Sequence, residues 1–309
     1  MTTPMSAVPD APSATPAAVP EAATRPFYWS ARREVWENRS LYVAPLMAAG
    51  VFLFGSLVSA FRFPHRMRAL QSLDAAHQRA SVAMPYDVAA FMILLTAFLV
   101  GIFYALDALH GERRDRSILF WKSLPVSDRT TVLAKAGIPL VVLPMIVFVI
   151  ILTTQLVVLM LSTFLLQGNA PALSMLWARL PLFRMSLALL YALTAISLWH
   201  APLYAWLLLV SAWARRATFL WAVLPLLAIA ALEKITIGTS GFLALLQYRL
   251  IGWFGQAFVP QPKGTAPENP LTTLDPGKFL STPGLWLGLL FAAAFLAMAI
   301  RLRRNREPI

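Results

Sequence analysis

Asp107, His200 and Glu233 are the side chains of this sequence that could take or give a proton within an apolar stretch. Gln155, beside Thr153 and Thr154, could bond across packed helices. Acid–base chemistry needs donor and acceptor within reach of one substrate atom. These three groups fall on different apolar segments, so no acid–base constellation is visible and an intramembrane acyl or glycosyl transferase has little to stand on. His65, His77, His110 and His200 lie too far apart in sequence for a metal motif. The chain has no cysteine, which excludes disulfides, thiolate metal sites and thiol catalysis. Each polar residue also has a plainer reading. Asp107, about a turn from the inner end of its segment and close to Arg113, suits an ion pair or a water-facing position as well as a substrate or proton role. His200, just before Pro202, suits a bond to a carbonyl at a helix irregularity as well as a place on a transport path. Gln155 suits a helix seam or a path.

The elements that would carry these residues follow from composition. Of 309 residues, 59% are hydrophobic and 13% charged, against about a quarter charged in soluble domains. The few charges are clustered, leaving apolar runs near the roughly 20 residues that cross a bilayer as helix. We read an all-α polytopic membrane protein with six spans, at about 41–61, 88–109, 137–166, 186–213, 217–232 and 283–300. The third is longer than a bilayer requires; the fifth is short enough for a broken or partly interfacial helix. The net charge of +12 suits anionic headgroups and cytoplasmic loops, not nucleic acid. More than half of the Lys and Arg fall on one side if both termini are cytoplasmic. The exception is the first outer loop, which carries Arg62, Arg66, Arg68 and Arg79.

Residues 1–25, rich in Ala and Pro without an apolar core, read as a disordered cytoplasmic tail rather than a signal peptide. Residues 26–40 read as an amphipathic interfacial helix, with Trp29, Arg32, Trp36 and Arg39 on one stripe and Ser30, Arg33, Glu34 and Glu37 on another. Residues 41–309 form the transmembrane domain. Before the sixth span, "SGFLALLQYRLIGWFGQAFV" is interrupted by Gln247, Arg249 and Gln256, and reads as a short external or re-entrant helix.

The loop between spans two and three is the densest charge cluster. Glu112–Arg116 is too hydrophilic for lipid, and Ser117–Leu124 is a short apolar segment ended by Pro125. Ser127 is an N-cap candidate with Asp128 in the first turn after it. A loop that only fixes topology accounts for the arginines but poorly for Phe120 and Trp121. Those aromatics suit anchors in a protein contact or insertion at the lipid interface.

"GERRDRSILFWKSLPVSDRTTVLAK" resembles the corresponding loop of the ABC-2 type permeases, the membrane subunits of a class of ATP-binding-cassette exporters. The matching residues are Glu112, Ser117, the run Ser123–Leu124–Pro125–Val126–Ser127, and Lys135. "APLYAWLLLVSAWARRATFLWAVLP" resembles a subset of the same family, and the likeness extends over nearly the whole chain after residue 25. One departure is Arg116, where the family carries a glycine after the acidic residue. The resemblance implies a coupling helix that docks on a separate ATPase through Glu112, Arg113, Asp115, Arg116, Ser117, Phe120, Trp121, Lys122 and Ser127. This chain has no G-x-x-x-x-G-K-[ST] loop, so the resemblance puts ATP and Mg on the partner and no cofactor, metal or catalytic residue here. It further implies a second permease subunit, identical or related, a bacterial cytoplasmic membrane with both termini inside, and export of a hydrophobic or amphipathic drug, peptide or lipid. A stand-alone secondary transporter or ion channel, or a non-transporting scaffold, are the competing expectations; no internal repeat favours the former.

Overall fold

The computed structural model describes residues 26–117 and 126–305; Phe120, Trp121 and Lys122 therefore lie outside the described residues. The helices in chain order are α1 (Pro26–Glu37), α2 (Ser40–Ser59), α3 (Phe63–Leu70), α4 (Ala75–Asp107), α5 (His110–Arg114) and α6 (Asp128–Gly137). A π-helical turn at Ile138–Val142 leads into α7 (Leu143–Leu165), followed by α8 (Ala170–Arg179), α9 (Leu182–Trp213) and α10 (Thr218–Thr236). The chain then folds into α11 (Gly241–Ile251), α12 (Trp253–Ala257), α13 (Pro276–Ser281) and α14 (Pro283–Asn305). Among the described residues there are no strands, only an isolated bridge between Phe258 and Leu274.

Among the described residues six helical stretches are long and apolar enough to cross a membrane: Ser40–Arg62, Ala75–Arg114, Asp128–Leu165, Ala170–Trp213, Thr218–Thr236 and Pro283–Asn305. The chain is an all-α, multi-pass membrane protein. The second stretch starts earlier than its apolar run because the side chain of Asp74 accepts from Ala76 N and caps α4. The third contains Pro139 and Pro144, whose missing N–H groups break the regular ladder and leave the π turn there. The fifth is a regular helix through Pro225.

α4 shows how the core is made. Its buried positions Val82, Tyr86, Ala89, Ile93, Ala97, Gly101 and Tyr104 recur every three to four residues, and Ala105 and Leu106 are buried at its end. Four of these nine are Ala or Gly, which lets neighbouring backbones approach where lipid supplies no hydrophobic drive to associate. Gly101 is required by Tyr204 on α9, since a Cβ there would stand 2.9 Å from the Tyr204 hydroxyl. α2 packs on α4 and α7, α9 packs most extensively on α14, and α1 lies against α6. The opposite faces stay apolar and uncovered, as with Phe54, Met160, Phe164 and Leu290, the pattern of lipid-facing helices.

α11 is held against the bundle by polar atoms. Glu233, at the end of α10, accepts from the Thr239 hydroxyl and from Gly241 N and Phe242 N at 2.6–2.7 Å, which caps α11. Arg249 stands over the Trp199 ring at 4.9 Å and donates to Trp199 O and Gly284 O. Gly288 on α14 leaves the room: a Cβ there would meet the guanidinium at 2.6 Å.

Candidate functional site

At one end of the bundle the two flanks of segment 113–127 are fastened by a buried network of charges. It begins with α1, whose inward stripe carries Arg33 and Glu34. The outward stripe is exposed, with Arg32 between the Trp29 and Trp36 rings at 5.3 and 4.8 Å. Arg39 is exposed in the junction to α2.

Glu34 is 2% exposed and accepts three bonds of 2.8 Å, from Lys135 Nζ, Arg33 Nη2 and the Tyr104 hydroxyl. Glu112 on α5 accepts from Arg303 Nη2 at 3.0 Å, and its other oxygen lies 3.1 Å from Lys135 Nζ and 3.4 Å from Arg33 Nη2. Arg303, near the end of α14, places Nη1 2.9 Å from Asp128 Oδ1 at the start of α6. Three acids (Glu34, Glu112, Asp128) thus meet three bases (Arg33, Lys135, Arg303). Balance matters because charges taken out of water are tolerated only when paired and well bonded. Glu37 stands at the rim, 3.5 Å from Arg33 and half exposed.

The electrostatics follow from this packing. Burial alone would raise the Glu34 carboxyl, but Lys135 and Arg33 outweigh it and hold the group below the usual carboxylate range. For Glu37 burial prevails over the pull of Arg33 and the carboxyl is raised.

α5 is fixed to α9 as well. The Ser211 hydroxyl accepts from Leu109 N and His110 N at 3.0 and 2.9 Å. Arg113, 4% exposed, donates to Ala212 O and Ala214 O, the carbonyls at the end of α9. Arg116 then adopts φ +57°, the left-handed region that glycine occupies without strain. Ser127 caps α6 by accepting from Thr130 N at 3.1 Å.

The residues of the charged loop accordingly divide. Glu112 and Arg113 are turned into the chain's own interior, which removes them from any free docking face in this conformation. Asp115 and Arg116 are exposed, Ser117 donates to Glu112 O at 3.4 Å, and Ser127 is exposed at its cap. The described residues on both sides of segment 118–125 are thus held by the network, through Glu112 before it and Asp128 after it.

The polar residues within the spans are engaged separately. Asp107 is exposed, 3.7 Å from Arg114. Gln155 is buried and its amide reaches Tyr86 O on α4 at 3.4 Å; Thr154 donates to Ile150 O at 2.7 Å. The two ring nitrogens of His200 face Ile196 O at 2.9 Å and Leu250 O at 3.1 Å. The ring lines an apolar cavity of about 380 Å³ together with Phe98 and Tyr204. Among the described residues no group of His, Asp or Glu could hold a metal ion.

Sequence reasoning did not assemble the network. Its signals were present: Lys135 sits two residues before an apolar run, Glu34 lies on the inward stripe of α1, and Arg303 alternates with apolar residues at the end of span six. Nothing in spacing alone brings residues 34, 112, 135 and 303 together. Comparison of this chain with protein-family models, with curated proteins and with solved structures returns no match.

Proposed function

We propose that this chain is the membrane-spanning permease subunit of an ABC-2 type exporter, driven by a separate ATPase. Two lines support the reading. The run from Glu112 to Lys135 resembles the family's loop, and the buried network ties both flanks of that loop to the transmembrane helices. The network is the observation that carries the proposal. A soft loop would absorb a push from a partner, whereas one clamped at Glu112 and Asp128 passes it to α4, α6 and α14. In this reading the docking side chains are Phe120, Trp121 and Lys122 with the exposed Asp115, Arg116 and Ser127. Glu112 and Arg113 hold the dock in place from behind. Both termini lie in the cytoplasm, a second permease subunit completes the translocation path, and the cargo is hydrophobic or amphipathic.

The test is a mild-detergent pull-down of the tagged chain, assayed for ATP hydrolysis. An ATP-binding-cassette ATPase should co-purify from wild type and be lost from Phe120→Ala/Trp121→Ala, with insertion unchanged. A chain isolated from native membranes at native expression without any such ATPase overturns the proposal in favour of a stand-alone transporter or scaffold.

A further inference from the structure

At the end of the bundle opposite the charge network, a cavity of about 400 Å³ opens between α2, α3, α4 and α7. Its depth is apolar, reaching Val51, Met92 and Val158. From Met84 to Met92 α4 rises about 12 Å along it. α3 turns Phe63, Met67 and Leu70 to the cavity, at helical spacing. Arg62 and Arg68 on the same short segment are exposed, and Arg66 lines the mouth.

One feature of this cavity is unexplained by packing, the charge at its mouth. Tyr86, only 2% exposed, closes part of the wall, with its hydroxyl buried beside Ser162. Arg66 has no carboxylate at ion-pair distance among the described residues, and its one polar contact is the Met84 sulfur at 3.8 Å. Residues 59–73 hold three arginines and no acid. These are the same arginines that run against the charge bias of the other loops.

We infer that this cavity binds an anionic phospholipid, with its acyl chain against Val51, Met92 and Val158 and its phosphate on Arg66. A zwitterionic lipid also carries a phosphate, but its choline cation would stand among Arg62, Arg66 and Arg68, whereas an anionic headgroup brings net negative charge to them. Charge complementarity thus selects a long apolar chain that ends in a headgroup of net negative charge. The inference does not depend on the permease reading.

The test uses the full chain purified in detergent, stripped of lipid, and offered dioleoyl phosphatidylglycerol or dioleoyl phosphatidylcholine, with retention read by native mass spectrometry. Wild type should retain one phosphatidylglycerol in preference to phosphatidylcholine. Gly55→Leu should abolish retention, since Gly55 lines the cavity and a Cβ there meets nothing within 4 Å. Arg66→Gln, on an exposed residue, should weaken phosphatidylglycerol about fivefold, the factor expected for one basic side chain at an anionic headgroup, and phosphatidylcholine, whose headgroup has no net charge, by less. Equal retention of the two lipids by wild type overturns the proposal, as does wild-type retention of phosphatidylglycerol by either variant. Arg66→Gln keeps the question decidable should Gly55→Leu fail to fold.

Discussion

Replacing Lys135 with Gln removes one ammonium from contact with two carboxylates, at 2.8 Å to Glu34 and 3.1 Å to Glu112. At an effective dielectric of about 20, those separations correspond to roughly 6 and 5 kcal/mol of attraction. Much of this is offset because the ammonium, 4% exposed as a side chain, no longer has to be stripped of water. What remains is the cost of leaving an acid unbalanced, about 3–5 kcal/mol for a buried pair broken on one side. Glu34→Gln should cost a similar amount, since it leaves Arg33 and Lys135 in excess. The double variant leaves two acids facing two bases, so its loss should fall short of the sum of the single losses by at least about 2 kcal/mol. Equilibrium unfolding in mixed micelles, followed by near-UV circular dichroism, measures all three. Glu37→Gln is the control: half exposed at the rim, it should move stability by no more than about 0.5 kcal/mol. If the single losses add to within about 0.5 kcal/mol in the double variant, the sites are independent and the charge-balance reasoning is wrong.

Acid should loosen the same end of the bundle. Glu34 is held below its ordinary pKa when folded, so its contribution is full above the unfolded value near 4.3 and is lost as pH falls through the folded value; unfolding midpoints between pH 6 and pH 3 check this, and Glu34→Gln should flatten that part of the profile. Arg116 and Ala217 both hold positive φ, at +57° and +52°. Arg116→Gly and Ala217→Gly should each be neutral to stabilising, by up to about 1 kcal/mol; a loss of stability in both would mean the left-handed conformations are not kept. Gly288→Ala should displace the Arg249 guanidinium from Gly284 O and Trp199. The expected cost is about 1–3 kcal/mol, together with faster proteolysis at α11.

The six spans were legible because each is a long run of apolar residues bounded by charge, and hydrocarbon thickness fixes how long such a run must be. The errors fell where the boundary is set by something other than hydropathy. α4 starts at Ala75 through the Asp74 cap, well before its apolar stretch begins. The fifth span, read at 217–232 and short enough to be broken or interfacial, is one unbroken helix that runs four residues further, to Thr236. The amphipathic N-terminal helix was legible from its two stripes, yet the reading gave weight to the Trp–Arg stripe. The buried side is the other one, and its polar residues pack inward because their partners lie far along the chain, Lys135 101 residues from Glu34 and Glu112 79 residues from Arg33. Periodicity records which residues share a face, and it cannot record what that face meets.

Glu112 shows what this changes for experiment. From sequence it is a charged loop residue, and reversing its charge looks like a direct probe of docking. In the folded chain its carboxylate contacts Arg33, Lys135 and Arg303, so Glu112→Lys would set four bases against two acids in a buried site. The protein should lose several kcal/mol and fail to couple for that reason alone. Docking is separable from stability only at residues the network does not hold. Asp115 is exposed, with its carboxylate 3.1 Å from the equally exposed Arg114, a pair worth little to stability. Asp115→Lys should therefore leave the unfolding midpoint within about 0.5 kcal/mol of wild type. If the loop is the dock, that variant loses ATPase co-purification at wild-type stability. Unchanged co-purification, together with unchanged recovery from Phe120→Ala/Trp121→Ala, would leave the network as a structural clamp and place the ATPase contact elsewhere.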